Sequence, residues 1–213
     1  MNFQIKRVLV LSPHVDDGEI GAGGTIARFT EEKVEIFYVA FSLAEKSIPE
    51  PYPKDILQAE CKQASRELDI PESNIFLHNF PVRFFPQYRQ DILEELVKIN
   101  RELHPNLVIC PSSNDVHQDH VIIQNETVRA FKKNASIWGY EHPWNNLSFT
   151  TDIFVRLEER HIKKKIKAMK AYSSQSFRSY FDENYIEALA HTRGVQVDLR
   201  FAEAFELLRF LIP

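Results

Sequence analysis

Two short stretches of the chain concentrate the residue types that hold metals and move protons. The first, SPHVDDGEIGAGG at residues 12–24, carries His14, Asp16, Asp17 and Glu19. The second, PSSNDVHQDH at residues 111–120, carries Asp115, His117, Asp119 and His120. Histidine nitrogens together with carboxylate oxygens are a donor mixture that zinc favours. His14 and Asp17, with one histidine of the second stretch, make three protein ligands. A fourth position is then left for water, as in catalytic zinc sites. The Asp and His not used as ligands are candidates for acid–base work. Alone, each stretch is ambiguous. His-x-x-Asp also occurs in polar turns, and HQDH reads equally as a helix start with Asp119 at the positive end of the dipole.

The glycines of GAGG raise a competing chemistry, a turn that seats a phosphate. A dinucleotide fingerprint needs glycine directly after the strand and an acidic residue about 20 positions later. Here Pro13, His14, Asp16 and Asp17 intervene, and the glycine spacing is wrong. The first acidic residue beyond the second apolar run is Glu45, past its end. No dinucleotide cofactor is expected. The glycines are expected to let the metal loop and the following helix pack closely.

Elements must bring the two stretches together. Apolar runs at 7–12, 34–42, 74–80, 106–110 and 136–141 read as strands, the first of them as a strand buried on both faces. Helical spacing runs from Gly24 to 33, and then through 54–70, 87–103 and 119–133. Strand and helix thus alternate, which predicts an α/β fold: a mostly parallel sheet with helices on both faces. In such sheets ligands bind at the carboxyl ends of the strands, and the first and fourth strands are commonly neighbours across the switch point. Further on, 149–157 reads as a strand, 158–172 as a helix and 200–211 as another helix. The lysines at 163–165 and 167 read as a solvated helix face.

The bulk numbers bound the rest. The chain has 213 residues, with 44% apolar and 26% charged side chains. That suits one soluble domain, 1–213. The net charge of −4 gives no basic excess for nucleic acid. Two cysteines, Cys61 and Cys110, make a disulfide framework unlikely and fit a reducing, cytoplasmic setting. No apolar run is long enough for a membrane span. A homo-oligomer is left open. The loop YEHPWNNLSF, at 140–149, offers Tyr140, Trp144, Asn145 and Asn146 either to a sugar ring or to a partner subunit.

PHVDDGEIGAGGTI and DVHQDH, in this order and spacing, resemble the two signature motifs of the LmbE-like (PIG-L-type) N-deacetylase family. KIKAMKAYSSQ and RGVQVDLRFAEAF resemble weaker features downstream, so the likeness spans nearly the whole chain. It departs at Val15, where the family most often has Pro, and no family-type Arg stands near Glu60. The resemblance implies a Rossmann-like three-layer sandwich with its metal site at the C-terminal strand ends. It also implies a metal-dependent hydrolase, usually with zinc, that removes acetyl from an N-acetylglucosamine-type sugar or conjugate. Carried over by motif position, His14, Asp17 and His120 become metal ligands and Asp16 the general base. His117 becomes the oxyanion stabiliser and a donor to the leaving amine, oriented by Asp119. An imidazolium at His117, its proton held by Asp119 or Asp115, implies a bell-shaped pH profile. The alternatives are a zinc amidohydrolase on a non-sugar amide and a non-catalytic metal- or sugar-binding module.

Overall fold

Val8 and Val10 enter one hydrophobic core, Leu9 and Leu11 another, and all four are fully buried. That two-residue alternation, apolar on both sides, is what a strand covered on both faces requires. The structure, a computed structural model, describes residues 5–212. Its first strand, β1, runs Arg7–His14. The other strands are β2 (Glu35–Ser42), β3 (Ile75–Leu77), β4 (Leu107–Pro111), β5 (Ser136–Tyr140), β6 (Ile153–Leu157) and β7 (Phe201–Arg209). They form one seven-stranded sheet in the order β3-β2-β1-β4-β5-β7-β6. Only β7 runs against the rest. Helices α1 (Asp17–Glu31), α2 (Ile56–Glu67), α5 (Glu159–Lys170) and α6 (Glu183–Val195) cover one face. Helices α3 (Arg89–Leu103) and α4 (Gln118–Phe131) cover the other. This is the three-layer α/β architecture expected, with β1 and β4 adjacent at the switch point. Among the described residues, no helix is long and apolar enough to cross a membrane. Cys61 and Cys110 are free and buried in different cores.

Two expectations are corrected, and one stretch without an assignment gains an element. Residues 200–211 hold a strand, β7, not a helix. Phe201 and Phe205 suit a helical i, i+4 stripe as well as a strand face. The vacant slot between β5 and β6 decides it, and Phe201 through Phe205 are all buried there. Residues 183–195, assigned no element from the sequence, form α6. Its start is capped by Asp182, whose carboxylate accepts the N–H groups of Asn184 and Tyr185. Finally, the lysine cluster is not uniformly solvated. Lys165 is buried and pairs with Glu203 at 2.7 Å, while Lys163, Lys164 and Lys167 make surface pairs.

Helix α1 begins at Asp17, seven residues earlier than its spacing suggests, so GAGG lies inside it. Glycine costs a helix roughly 1 kcal/mol relative to alanine, so the reason must be close approach. An added Cβ at Gly21 would lie 2.5 Å from the Tyr140 ring, and one at Gly24 2.5 Å from Leu157 Cδ1. Both neighbours belong to the sheet, and both are buried. The clash therefore outweighs the gain in helix propensity. Gly21→Ala is expected to lower unfolding free energy by about 1–2 kcal/mol, since overpacking costs about 1–3. Urea unfolding followed by circular dichroism measures it.

Candidate metal and catalytic site

The carboxyl ends of β1, β4 and β5 deliver the polar residues. His14 is the last residue of β1, and Asp17 is the first of α1. The turn between them closes on itself, because the His14 backbone N–H donates to Asp17 Oδ2 at 2.7 Å. His117 caps α4, and Asp119 and His120 stand in that helix's first turn. Adjacency of β1 and β4 then brings both motifs together. His14 Nδ1 lies 3.0 Å from Asp17 Oδ2. His120 Nε2 lies 3.3 Å from the same oxygen and 3.4 Å from His14 Nδ1. Donors bonded tetrahedrally at about 2.0–2.1 Å stand about 3.3 Å apart, so these three atoms fit a divalent metal.

The outer nitrogens of both histidines are held by carboxylates. Asp119 Oδ2 sits 3.1 Å from His14 Nε2, and Asp115 Oδ2 sits 2.7 Å from His120 Nδ1. Such partners fix ring orientation and tautomer in metal-binding histidines. Asp119 is itself fixed by the backbone N–H groups of Arg83 at 2.6 Å and Phe85 at 3.3 Å. Burial opposes charge on His14, but Asp17 and Asp119 outweigh it and hold its pKa up at about 9. His120 is likewise held at about 10 by Asp17 and Asp115 against its burial. A cation seated on the two rings would displace those protons.

The adjacent aspartates diverge. Asp17 is held well below the usual carboxylate range, its burial overcome by His120 and His14. Asp16 is pushed up to about 6 by burial and by the charge of Asp17. It faces a cavity of about 280 Å³ shared by His14, Asp17, His117 and His120.

His117 departs from expectation. Its Nδ1 accepts the Asp119 backbone N–H at 3.2 Å, which leaves the ring proton on Nε2. Asp115 meets His117 only at its backbone N–H, at 2.8 Å, and spends its other oxygen on the His120 ring, while the Asp119 carboxylate is spent on His14 and the 83–85 backbone. Neither carboxylate holds a proton on the ring. Burial and the like charges of His120 and His14 push its pKa down to about 4. His117 is thus a neutral N–H donor, and Asp119 orients it through the backbone alone. One of its ring nitrogens also comes within 4.8 Å of donors on His14 and His120. Asp17 makes the tighter set.

His142 carries no motif that marks it in the sequence. It stands two residues past the end of β5, and the strand-end rule that picked β1 and β4 points there too. Its Nε2 donates to the Asp17 carbonyl at 3.2 Å, and its ring stacks under Trp144 at 4.9 Å. Burial pushes its pKa down to about 4. Of the four loop residues offered to a sugar, only Trp144 and Asn145 line the cavity. Tyr140 is buried, its hydroxyl donating to the Leu11 carbonyl at 3.2 Å. Asn146 Nδ2 donates to Ser112 Oγ at 2.7 Å. Glu19 lies behind the site, bonded by the hydroxyls of Tyr38 and Tyr172. Glu60 accepts from Ser173 and Ser174, which pins the segment that brings Gln175, Arg178 and Tyr180 to the cavity. Tyr180 stacks on Trp144 at 4.0 Å, making an aromatic wall.

The sequence profile of the family described as PIG-L, GlcNAc-PI de-N-acetylase, matches residues 9–131. That span is more than half of the chain and holds both motifs. The deacetylase YaiS of Escherichia coli K12, uncharacterised, is 26% identical over 173 residues, 79% of this chain and 91% of its own. A probable N-acetyl-α-D-glucosaminyl L-malate deacetylase 2 of Bacillus anthracis is 26% identical over 186 residues, 80% of this chain and 81% of its own. Among solved structures, the N,N'-diacetylchitobiose deacetylase of Pyrococcus horikoshii matches with a TM-score of 0.77 at 20% identity, covering 96% of this chain and 84% of that one. GalB, the 4-carboxy-2-hydroxymuconate hydratase of Pseudomonas putida KT2440, matches with a TM-score of 0.78 at 20% identity, covering 98% of each. At that identity the structural matches carry the fold alone.

The outer carboxylates generate a prediction. Asp115→Asn and Asp119→Asn are each expected to weaken divalent-cation binding about 10–100-fold while the protein stays folded. Calorimetric titration with zinc, alongside circular dichroism, measures both; unchanged affinity would mean that the rings need no outer support.

Proposed function

The chain belongs to the PIG-L, or GlcNAc-PI de-N-acetylase, family, and from that premise we propose that it is a zinc-dependent hydrolase that deacetylates an N-acetylated sugar or sugar conjugate. One observation carries the reading. Three donor atoms, on His14, Asp17 and His120, converge within 3.0–3.4 Å in the cavity that the free carboxyl of Asp16 also faces. In this reading those three residues hold the metal. A bound zinc would supply positive charge that acidifies water and polarises a carbonyl.

The remaining steps belong to the chain's own groups. Asp16 accepts the proton of the attacking water. Its pKa of about 6 leaves it ionised at neutral pH, yet basic enough to take that proton. As the water oxygen bonds to the acetyl carbon, negative charge develops on the carbonyl oxygen. His117 Nε2–H donates to that oxygen as a neutral donor. The C–N bond breaks once the nitrogen is protonated. Because His117 is neutral, the proton comes from Asp16, which returns to the carboxylate. Acetate and the free amine leave. A module that only bound metal or sugar would need neither a poised carboxyl nor this donor.

Asp16→Asn is expected to keep zinc, measured by elemental analysis, and to lose activity on the order of 10²–10⁴-fold, measured as acetate release from N-acetylhexosamine derivatives. Near-normal turnover with normal zinc would place the base elsewhere. In the wild type, kcat/KM is expected to fall as pH drops through about 6 or somewhat below, as Asp16 gains a proton. A bound cation stabilises the carboxylate, so it moves that limb to lower pH. No alkaline limb should belong to His117, whose pKa lies near 4. An alkaline limb abolished by His117→Ala would restore the imidazolium.

A further inference from the structure

Two arginines, Arg83 and Arg178, line the cavity that holds the His/Asp cluster. Most other arginines of the chain are tied to glutamates, among them Arg7, Arg28, Arg89, Arg160 and Arg193. Among the described residues, neither Arg83 nor Arg178 forms an ion pair with a carboxylate. Asp16 is near enough for Arg178 to favour its charge, yet it lies outside ion-pair distance. In a chain of net charge −4, two arginines without a carboxylate partner line one cavity.

Arg178 is held through its side chain and Arg83 through its backbone. Arg178 Nε donates to Gln175 Oε1 at 2.7 Å, and the guanidinium sits 5.1 Å from the Phe177 ring centroid and 5.9 Å from that of Tyr180. Tyr180 is in turn stacked on Trp144. Arg83 has φ +71°, a left-handed conformation uncommon outside glycine. Two bonds hold it there. Its N–H donates to Asp119 Oδ2 at 2.6 Å, and its carbonyl accepts from the Gln118 side-chain amide. The carboxylate that orients His14 therefore also sets Arg83 on the cavity wall. Strained backbone that is held in this way marks a position the fold has reason to keep. Guanidiniums present a planar fork of donors that matches carboxylate and phosphate oxygens.

We propose that Arg83 and Arg178 recognise an anionic group, a phosphate or a carboxylate, carried by the substrate away from its acetamide. This rests on the deacetylase reading and narrows it: the preferred N-acetylated sugar is an acidic conjugate, and a neutral glycoside is a poor substitute.

The test uses the zinc-loaded full chain and three probes: N-acetylglucosamine 1-phosphate, an N-acetylglucosaminyl glycoside of a hydroxycarboxylic acid, and neutral methyl N-acetylglucosaminide. At least one acidic probe is expected to exceed the neutral one about 10-fold or more in kcat/KM, mainly through KM. The phosphate and carboxylate arms tell which anion is meant. The ratio of acidic to neutral kcat/KM should collapse in Arg178→Gln and in Arg83→Gln, and recover in part in Arg178→Lys. A merely structural loss would lower all three probes together and leave the ratio unchanged. An unchanged ratio in both variants overturns the inference, as does a wild-type ratio near one. Calorimetric titration of glucosamine 1-phosphate against glucosamine separates the two readings. If no probe turns over but the phosphate binds more tightly through the two arginines, the deacetylase reading fails and the anion site stands. If neither glucosamine 1-phosphate nor the glucosaminyl glycoside of the hydroxycarboxylic acid binds more tightly than glucosamine, the anion site fails.

Discussion

One oxygen organises this end of the sheet. Asp17 Oδ2 accepts the His14 N–H at 2.7 Å and lies 3.0 Å from His14 Nδ1 and 3.3 Å from His120 Nε2. The two motifs are about 100 residues apart, and only the adjacency of β1 and β4 lets one carboxylate touch both. That adjacency is the switch point of a doubly wound sheet, from which the chain leaves in opposite directions. The position of Asp17 in turn depends on α1 lying close to the sheet, with Gly21 against Tyr140 and Gly24 against Leu157. Below it, His142 holds the Asp17 carbonyl. A shift of α1 would carry away one donor of three.

Clustering this many charges below the surface is costly unless each has a partner. Asp115 and Asp119 meet that condition through histidine rings and backbone N–H groups, and both are held below the usual carboxylate range although burial opposes it. His14 and His120 meet it by keeping protons, or by exchanging them for a cation. Because the outer carboxylates already fix the rings, that exchange needs little rearrangement. Asp16 is the exception. Among the described residues no histidine stands within ion-pair distance of it, and its pKa rises where that of its neighbour falls. Environment alone gives two adjacent aspartates opposite characters, one suited to holding a cation and the other to carrying a proton.

The parts legible in the sequence were those with strong local signals. Buried alternation in β1 and the stripes of α2 and α3 needed no tertiary knowledge. The two motifs could be placed at one sheet edge because that rule depends on topology and not on side-chain detail. What was hidden depended on long-range context. FAEAF became strand because β5 and β6 left a slot for it. His142 has no spacing signature, since it reaches the site from a third strand end. Sequence proximity points Asp119 to the His117 ring, while the groups it holds, His14 and the Arg83 backbone, are near it only in space. Proximity along the chain is a poor guide to where a carboxylate is spent.

The same fold serves a hydratase at a TM-score of 0.78, so the architecture by itself does not select the reaction. Selection must come from the cavity. Amide hydrolysis moves one proton from water to nitrogen and needs a donor where the carbonyl oxygen gains charge. A neutral His117, its Nδ1 occupied by a backbone N–H, has its single proton on Nε2 and keeps it at neutral pH. A group of that kind stabilises charge well but moves protons poorly. The proton traffic of the proposed reaction therefore falls on Asp16 alone, and one carboxyl near pH 6 has to serve as base toward water and as acid toward nitrogen. It can do both only if water cannot drain the proton away between the two steps. The stacked Trp144 and Tyr180 form one wall of the cavity that Asp16 faces.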